Sequence, residues 1–280
     1  MEENKSTSSG ANPNNFWVSR DGSGNFIDGP RLIDTINNIT APPSVIVWLQ
    51  GEQDATRAQD MFDKDNYRDA LDYVFTRLKS EATSNVIFGI CVTGRRKNSS
   101  KEEGIQLIRQ AQHELADIRS DVVVLSETYD LEMADHVHYS QNGQEELLDR
   151  VARNVSSYIM GNDTGFIPKI KAVNLNANDK TKLLVEIENV QDIIKGSNSN
   201  WLFSAHSGSA RVDVLSTYGI SESLVLVTLN SPITTIYTLH VGNGKYINPV
   251  DISTSGSYQI RNEYLFPIAS GIYEIDPASW

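Results

Sequence analysis

The sequence predicts a parallel α/β domain followed by an antiparallel β-sandwich. Three observations carry that prediction: short β-branched runs that are apolar at nearly every position, helical periodicity between those runs, and a change to strand-only patterning near residue 163. The runs are Ser44 to Leu49 (SVIVWL), Asn85 to Val92 (NVIFGICV) and Asp121 to Ser126 (DVVVLS). Strands of this composition suit a sheet buried on both faces. The intervening helices follow three- and four-residue steps, through Tyr67, Leu71, Val74, Phe75 and Leu78, and through Ile105, Ile108, Leu115 and Ile118. Leu147, Leu148, Val151, Val155 and Ile159 mark a further helix, with Asn142 and Glu145 as its expected capping pair. An earlier helix starts at Pro30, where the missing N–H costs nothing, and continues through Leu32, Ile33, Ile36 and Ile39. Strand and helix in alternation imply right-handed crossovers.

The expected organisation is a flexible arm over 1–15, an α/β domain over 16–162 and a β-sandwich over 163–280. In the last part Lys182 to Glu188, Ala210 to Leu215, Ser223 to Leu229 and Thr234 to Val241 read as strands, and Asn243-Gly244 as a hairpin turn.

Composition narrows the classes of function. With 39% hydrophobic and 21% charged residues the chain has the means to bury a core. Its 24 basic against 36 acidic residues leave a net charge of −12, which argues against nucleic acid and anionic membrane as partners. No run reaches the ~18 apolar residues of a membrane helix, and the polar start is no signal peptide. These features predict a soluble protein. The single cysteine, Cys91, excludes an internal disulfide framework and a thiolate zinc site; it lies in an apolar run and reads as core.

Two segments just beyond predicted strands can carry chemistry. The first is Trp48-Leu49-Gln50-Gly51-Glu52-Gln53-Asp54-Ala55, a polar turn at a strand's carboxyl end, where open α/β sheets bind ligands. Gly51 allows close approach of a ligand, and Gln50 offers an amide N–H to a developing oxyanion. The second is Asp135-His136-Val137-His138-Tyr139-Ser140. An aspartate three residues before a histidine can fix the ring's tautomer and leave its other nitrogen as a base. No HExxH motif or cysteine cluster accompanies the histidines, so neither a metal nor another cofactor is expected.

Together and in this order, the segments resemble those of the SGNH (GDSL-like) hydrolases. The likeness is to the carbohydrate O-acetylesterases related to sialate O-acetylesterase and acetyl xylan esterase. Trp48, Gln50, Gly51, Glu52, Asp54 and Ala55 match that group's W-x-Q-G-E-x-D-A stretch. Asp135, Val137, His138, Tyr139, Ser140, Gly143 and Gln144 match its D-x-V-H-Y-S-x-x-G-Q stretch, and Arg109, Ala111 and Gln112 its R-x-A-Q helix. The resemblance implies a flavodoxin-like three-layer α/β/α fold and a serine nucleophile. It makes His138 the general base and Asp135 its orienting partner, with oxyanion or substrate contacts from Gln50, Gly51, Glu52 and a glycine loop.

The family's first strand, with its G-x-S-type nucleophile turn, has no counterpart here. Ser8-Ser9-Gly10 aligns with the family's second block, making Gly10 an oxyanion donor and placing the first strand, helix and serine upstream of Met1, so the domain reads as N-terminally incomplete. Three explanations stand. The serine comes from another polypeptide that completes the sheet; catalysis has been lost; or Ser9, Ser19 or Ser23 has taken the role. The expected activity is carbohydrate O-deacetylation on an acetylated glycan, a carboxylic ester hydrolase where the chain is active. The alternative is a non-catalytic virion, tail or surface-assembly protein, virion-associated or extracellular and oligomeric, that binds acetylated polysaccharide.

Overall fold

The structure, a computed structural model, describes residues 16–81, 85–94, 102–135, 138–161, 167–188, 194–195, 202–207, 210–235, 237–242, 260–261 and 269–275. The chain opens with a hairpin of β1 (Val18–Arg20) and β2 (Phe26–Asp28) leading into α1 (Pro30–Asn37). Then follow β3 (Val45–Trp48), the short α2 (Glu52–Ala55), α3 (Met61–Glu81), β4 (Ile87–Cys91), α4 (Glu102–Ile118), β5 (Val122–Ser126) and α5 (Gln141–Ile159). The three predicted apolar runs are β3, β4 and β5, and they pair in parallel in that order. Pro30 opens α1 as expected, at N1.

Alternation along the strands divides the interior between the sheet's two faces. Trp48, Phe88 and Ile90 pack with Val74, Phe75 and Leu78 of α3 and with Ile105 and Ile108 of α4. Phe75 stacks on Phe88 with ring centroids 4.3 Å apart, and Trp17 closes on Trp48 at 4.7 Å. Cys91 faces the other way, buried with Leu131 and with Leu147 of α5. Burial pushes its thiol up to about 12, so it is a core residue, as its sequence context implies.

The rotation of α5 departs from the sequence expectation. Gly143, Leu147, Arg150, Asn154 and Ser157 are buried, whereas Leu148 and Ile159 are 67% and 68% exposed. Polar anchors set this rotation. Arg150 donates to both oxygens of Asp130 (2.8 and 2.6 Å) and to the Glu127 carbonyl (3.0 Å), and Asn154 Nδ2 donates to the Leu125 carbonyl at 2.6 Å. Turning the helix to bury Leu148 would strand these groups, at a cost of about 3–5 kcal/mol for the ion pair alone. Ile118, also expected inside, lies exposed at the last residue of α4.

The remaining strands are β6 (Lys169–Leu175), β7 (Lys182–Glu188), β8 (Ile194–Lys195), β9 (Phe203–Ser207), β10 (Ala210–Ser221), β11 (Leu224–Leu229), β12 (Thr238–Val241), β13 (Ile260–Arg261) and β14 (Gly271–Glu274). Seven of them form one antiparallel sheet in the order β14-β12-β9-β10-β11-β7-β6, while β8 pairs with β13. The twelve-residue β10 changes partner midway. It pairs with β9 over Ala210–Asp213 and with β11 from Val214 onward, with a register shift just after Val214. Val173, Leu183 and Val185 from one flank and Phe203, Ala205 and Leu239 from the other share a single core. The expected arm over 1–15, the Asn243-Gly244 turn and the boundary at 163 lie outside the described residues.

Asp121, at the start of β5, ties sheet to helices. Arg119 donates to it twice at 2.9 Å and Lys79 once at 2.6 Å, which holds its carboxyl down at about 2. A folded value below the unfolded 3.8 stabilises the fold above about pH 4, and that gain disappears as pH falls through 2. Asp121→Asn is therefore expected to cost about 2 kcal/mol at pH 7. Urea unfolding near pH 2 should show the two proteins equally stable.

Candidate active site

The carboxyl end of β3 is fixed by its own backbone. The Gln50 carbonyl accepts from Gln112 Nε2 (2.9 Å), Tyr67 Oη (3.0 Å) and Thr93 Oγ1 (3.3 Å). Gln112 Oε1 also accepts the Thr93 N–H at 2.8 Å, so one α4 side chain joins the ends of β3 and β4. The next residue, Gly51, has φ 149°. A Cβ there would lie 2.0 Å from Thr93 Oγ1 and 2.9 Å from Ile108 Cγ2. The close approach that this glycine permits is thus to Thr93 and Ile108. The Gln50 side chain turns to α2, where Nε2 donates to Asp54, committing one of its two hydrogens.

Glu52 follows at the start of α2. Burial raises its pKa and Asp54 adds to the rise, opposed by backbone N–H donors of Glu52 and Gly94 and by the charge of Arg109.

The second motif folds as a tight hairpin. The Ala134 N–H donates to the His138 carbonyl at 2.8 Å, the Ser140 N–H to the Glu132 carbonyl at 2.9 Å, and Met133 bridges Tyr139. At its tip Asp135 uses both oxygens on one residue. Oδ1 accepts the His138 N–H at 2.8 Å and Oδ2 lies 2.7 Å from His138 Nδ1. The backbone contact sets the distance and the ring contact sets the tautomer, leaving Nε2 to act on a ligand. The His138 side chain is 76% exposed.

The residues that follow anchor this tip. Tyr139 is half-buried against Leu131 and Leu147, and its hydroxyl donates to Thr128 Oγ1 at 2.8 Å. Ser140 is the N-cap of α5, its Oγ accepting the Gly143 N–H at 3.1 Å. This cap replaces the expected Asn142–Glu145 pair: Asn142 lies inside the helix, and Glu145 accepts from Gln141 at 2.9 Å. Gly143 passes so close to residue 132 that a Cβ would lie 2.3 Å from the Glu132 carbonyl oxygen.

The R-x-A-Q helix reinforces both strand ends from behind. Arg109, fully buried, donates to the Thr93 carbonyl (2.8 Å) and to the Gly242 carbonyl (2.6 Å) just beyond β12. The antiparallel sheet thereby braces the loop after β4. Glu127 adds a second tie, accepting from Ser270 Oγ at 2.6 Å with His113 Nε2 2.8 Å away.

Gln50, Glu52 and His138 line one cleft of about 640 Å³, together with Leu49, Gln53, Tyr139, Gln144, Leu147 and Leu148. Gly51 lies behind its wall, and Asp135 sits beside His138. Ser23 is exposed in the β1–β2 turn, Ser19 lies in β1, and neither lines the cleft. Ser9, Gly10 and His136 fall outside the described residues. Among the described residues no serine lines the cleft. The sequence reading missed the bracing residues Tyr67, Thr93 and Thr128; only the polar interruption of their apolar surroundings could have signalled them.

Parallel strands whose carboxyl ends open onto a carboxylate-paired imidazole form a cleft where open α/β sheets bind ligands. Residues 30–157 match the family described as carbohydrate esterase, sialic acid-specific acetylesterase, in keeping with the SGNH-like acetylesterase group that its motifs resemble. No curated protein matches the chain significantly. Among solved structures it is similar to a carbohydrate acetylesterase from Xanthomonas citri, with a TM-score of 0.57 at 13% identity. The match covers 82% of this chain and 50% of that one, so the chain spans half the length of that relative, and the likeness is one of fold. A structure of a bacterial S-layer protein matches only at a TM-score of 0.30 and 12% identity, over 81% of this chain and 30% of that one.

Two substitutions test the bracing. Gly51→Ala should cost roughly 2–4 kcal/mol, from a strained φ and the overlap with Thr93; thermal unfolding should show part of the loss restored by Thr93→Ala. At Glu52 the folded pKa exceeds the unfolded one, so stability present at low pH is lost as pH rises through the folded value. Glu52→Gln should therefore flatten the decline in melting temperature on going from acid to neutral pH.

Proposed function

We propose that this chain is the base-bearing part of an SGNH-type carbohydrate O-acetylesterase, with a flavodoxin-like α/β/α domain over 16–162 and a β-sandwich over 163–280. The observation that carries the reading is the Asp135–His138 pair, whose His138 lines one cleft together with Gln50 and Glu52. The nucleophilic serine is supplied from outside this chain. Its hydroxyl attacks the acetyl carbonyl of a glycan ester while His138 Nε2 takes the proton. His138 then gives that proton to the departing sugar oxygen, leaving an acetyl-serine. Water attacks the acetyl group with His138 again as base, releasing acetate and restoring the serine. The free Nε2 hydrogen of Gln50 and a backbone N–H of the adjoining loops supply the oxyanion contacts.

The contribution of Asp135 is orientation. In so exposed a pair the electrostatic gain is no more than about 1 kcal/mol, so its value lies in holding one tautomer and one ring direction.

A fluorophosphonate probe tests the reading. The isolated chain should neither take up the label nor hydrolyse acetylated xylan or an O-acetylated sialoside. The reconstituted protein should label on a partner serine, and His138→Ala should reduce that labelling by about 10²-fold or more. Labelling of a serine within this chain, lost on His138→Ala, would replace the outside nucleophile with an internal one. Binding of acetylated polysaccharide without turnover by the reconstituted protein, indifferent to Asp135→Asn, would sink the esterase reading in favour of a binding module.

A further inference from the structure

We infer that the outer face of β7, β11 and the second half of β10 is a self-association surface. A second copy of this chain packs on it about a two-fold axis that crosses the strands at Leu184, Leu226 and Tyr218. The inference concerns the antiparallel sheet and is independent of the esterase reading.

Alternation sorts these strands into an inner and an outer face. Leu183, Val185, Val225 and Val227 belong to the core, so Leu184 and Leu226, which lie between them, point outward and are partly exposed. Register continues the row, since Leu184 pairs with Leu226 and Leu226 with Tyr218. Tyr218 is 66% exposed, and on the same strand Leu215 and Ile220 are 66% and 49% exposed. Each of those two falls at a register shift of β10, one before and one after Tyr218, where an extra residue swings out of the ladder.

The other half of the sheet is different. On β9, Ser204 and His206 alternate with the core residues Phe203 and Ala205, yet both are buried. The open apolar face is thus a property of the β7, β11 and β10 side. A contiguous patch of this kind marks an interaction site.

The pattern on that face selects its occupant. Lys182 and Glu186 stand two residues before and two after Leu184, on the same side of β7. A two-fold axis lying in the face and running across the strands reverses their direction. It therefore sets Lys182 of each copy over Glu186 of the other. The same rotation places Leu226 and Tyr218 on their own mates and brings Leu215 near the mate's Ile220. At about 3.3 Å per residue the charged pairs fall about 7 Å to either side of the axis. The angle of about 30° between aligned sheets displaces them by only about 3–4 Å, within reach of a lysine.

Present pairings do not oppose this exchange. Lys182 Nζ lies 2.8 Å from Asp179 and Lys171 Nζ 2.7 Å from Glu186, and all four side chains are partly exposed. Such pairs are readily rearranged. The net charge of −12 repels a second copy, but salt screens it beyond about 8 Å, and this face carries both signs. A glycan fits less well, because one ring among leucines returns few of the hydrogen bonds that sugar hydroxyls give up. Four strands by about six residues span about 19 by 20 Å, at the small end of specific interfaces. The dimer is accordingly weak, with a dissociation constant of about 10–100 µM.

Sedimentation equilibrium of the full chain, from about 5 to about 500 µM at about 0.15 M salt, reads the association. Lys182→Glu sets like charges against Glu186 of the mate and should weaken it by about tenfold or more. Glu186→Lys should do the same. An equimolar mixture of the two variants should associate within about threefold of the unaltered chain, because every crossed pair is again opposite in sign. Tyr218→Asp should abolish association. All three replace exposed or partly exposed side chains, so melting temperatures should stay within about 3 °C. A monomer at the highest concentration, no recovery in the mixture, or a dimer indifferent to Tyr218→Asp would each overturn the inference. Saturable binding of acetylated xylan by a monomer, lost in Tyr218→Asp, would overturn it in favour of a glycan platform. His138→Ala should associate like the unaltered chain, so failure here leaves the proposed function standing, and failure of that function leaves this surface standing.

Discussion

Three donors converge on one carbonyl, that of Gln50, and the candidate site is built outward from it. A carbonyl oxygen has two lone pairs, so this group is saturated and its position is held from three elements at once: α3 through Tyr67, α4 through Gln112 and the β4 loop through Thr93. Because β3 ends there, Gly51 must turn sharply against Thr93 and Ile108, and that turn delivers Glu52 to the cleft. The bracing donors come from residues that are buried or nearly so. Each would cost about 1–3 kcal/mol if left without its partner, so the network resists piecemeal rearrangement.

The same logic explains why the antiparallel sheet packs on the α/β part through polar as well as apolar contacts. Arg109 divides its donors between Thr93 of one part and Gly242 of the other, while Ser270 and His113 meet on Glu127. Tyr129, from the loop after β5, is buried in the antiparallel sheet's own core. Displacing that sheet would strand a guanidinium and a carboxylate in the interior, which is why the R-x-A-Q helix serves the cleft without lining it.

Much of this was legible from residue order. The β-branched runs of β3, β4 and β5 read as parallel strands and pair so, although β3 is not buried on both faces as expected, since Val47 and Leu49 are exposed. Asp135 and His138 meet because a three-residue spacing on a hairpin leaves them little choice. The rotation of α5 was not legible. Leu148, Val155 and Ile159 look like a core face, and only the tertiary partners Asp130, Glu127 and Leu125 show that Arg150 and Asn154 hold the inside. The cap was misread for a related reason: Ser140 and Asn142 both have capping chemistry, and the hairpin closed by Tyr139 decides between them. Pairwise motif reading also could not foresee that Gln112 would reach both Gln50 and Thr93, because that contact depends on how α4 lies across the sheet.

The least finished feature of the site is its exposure. An imidazole as open as that of His138 stands in water, where its pairing with Asp135 is screened and a developing negative charge gains little from a nearby dipole. Acyl transfer draws its advantage from fixed donors in a water-poor cleft. The scaffold behind Gln50 is already rigid and buried, so the shortfall lies on the opposite side, toward Leu49 and Leu148. Those apolar side chains border the cleft and are largely exposed. A body that covers them therefore removes water from the apolar surface and from the base together. The hydrophobic gain of covering them and the electrostatic conditions for acyl transfer thus arise from the same contact.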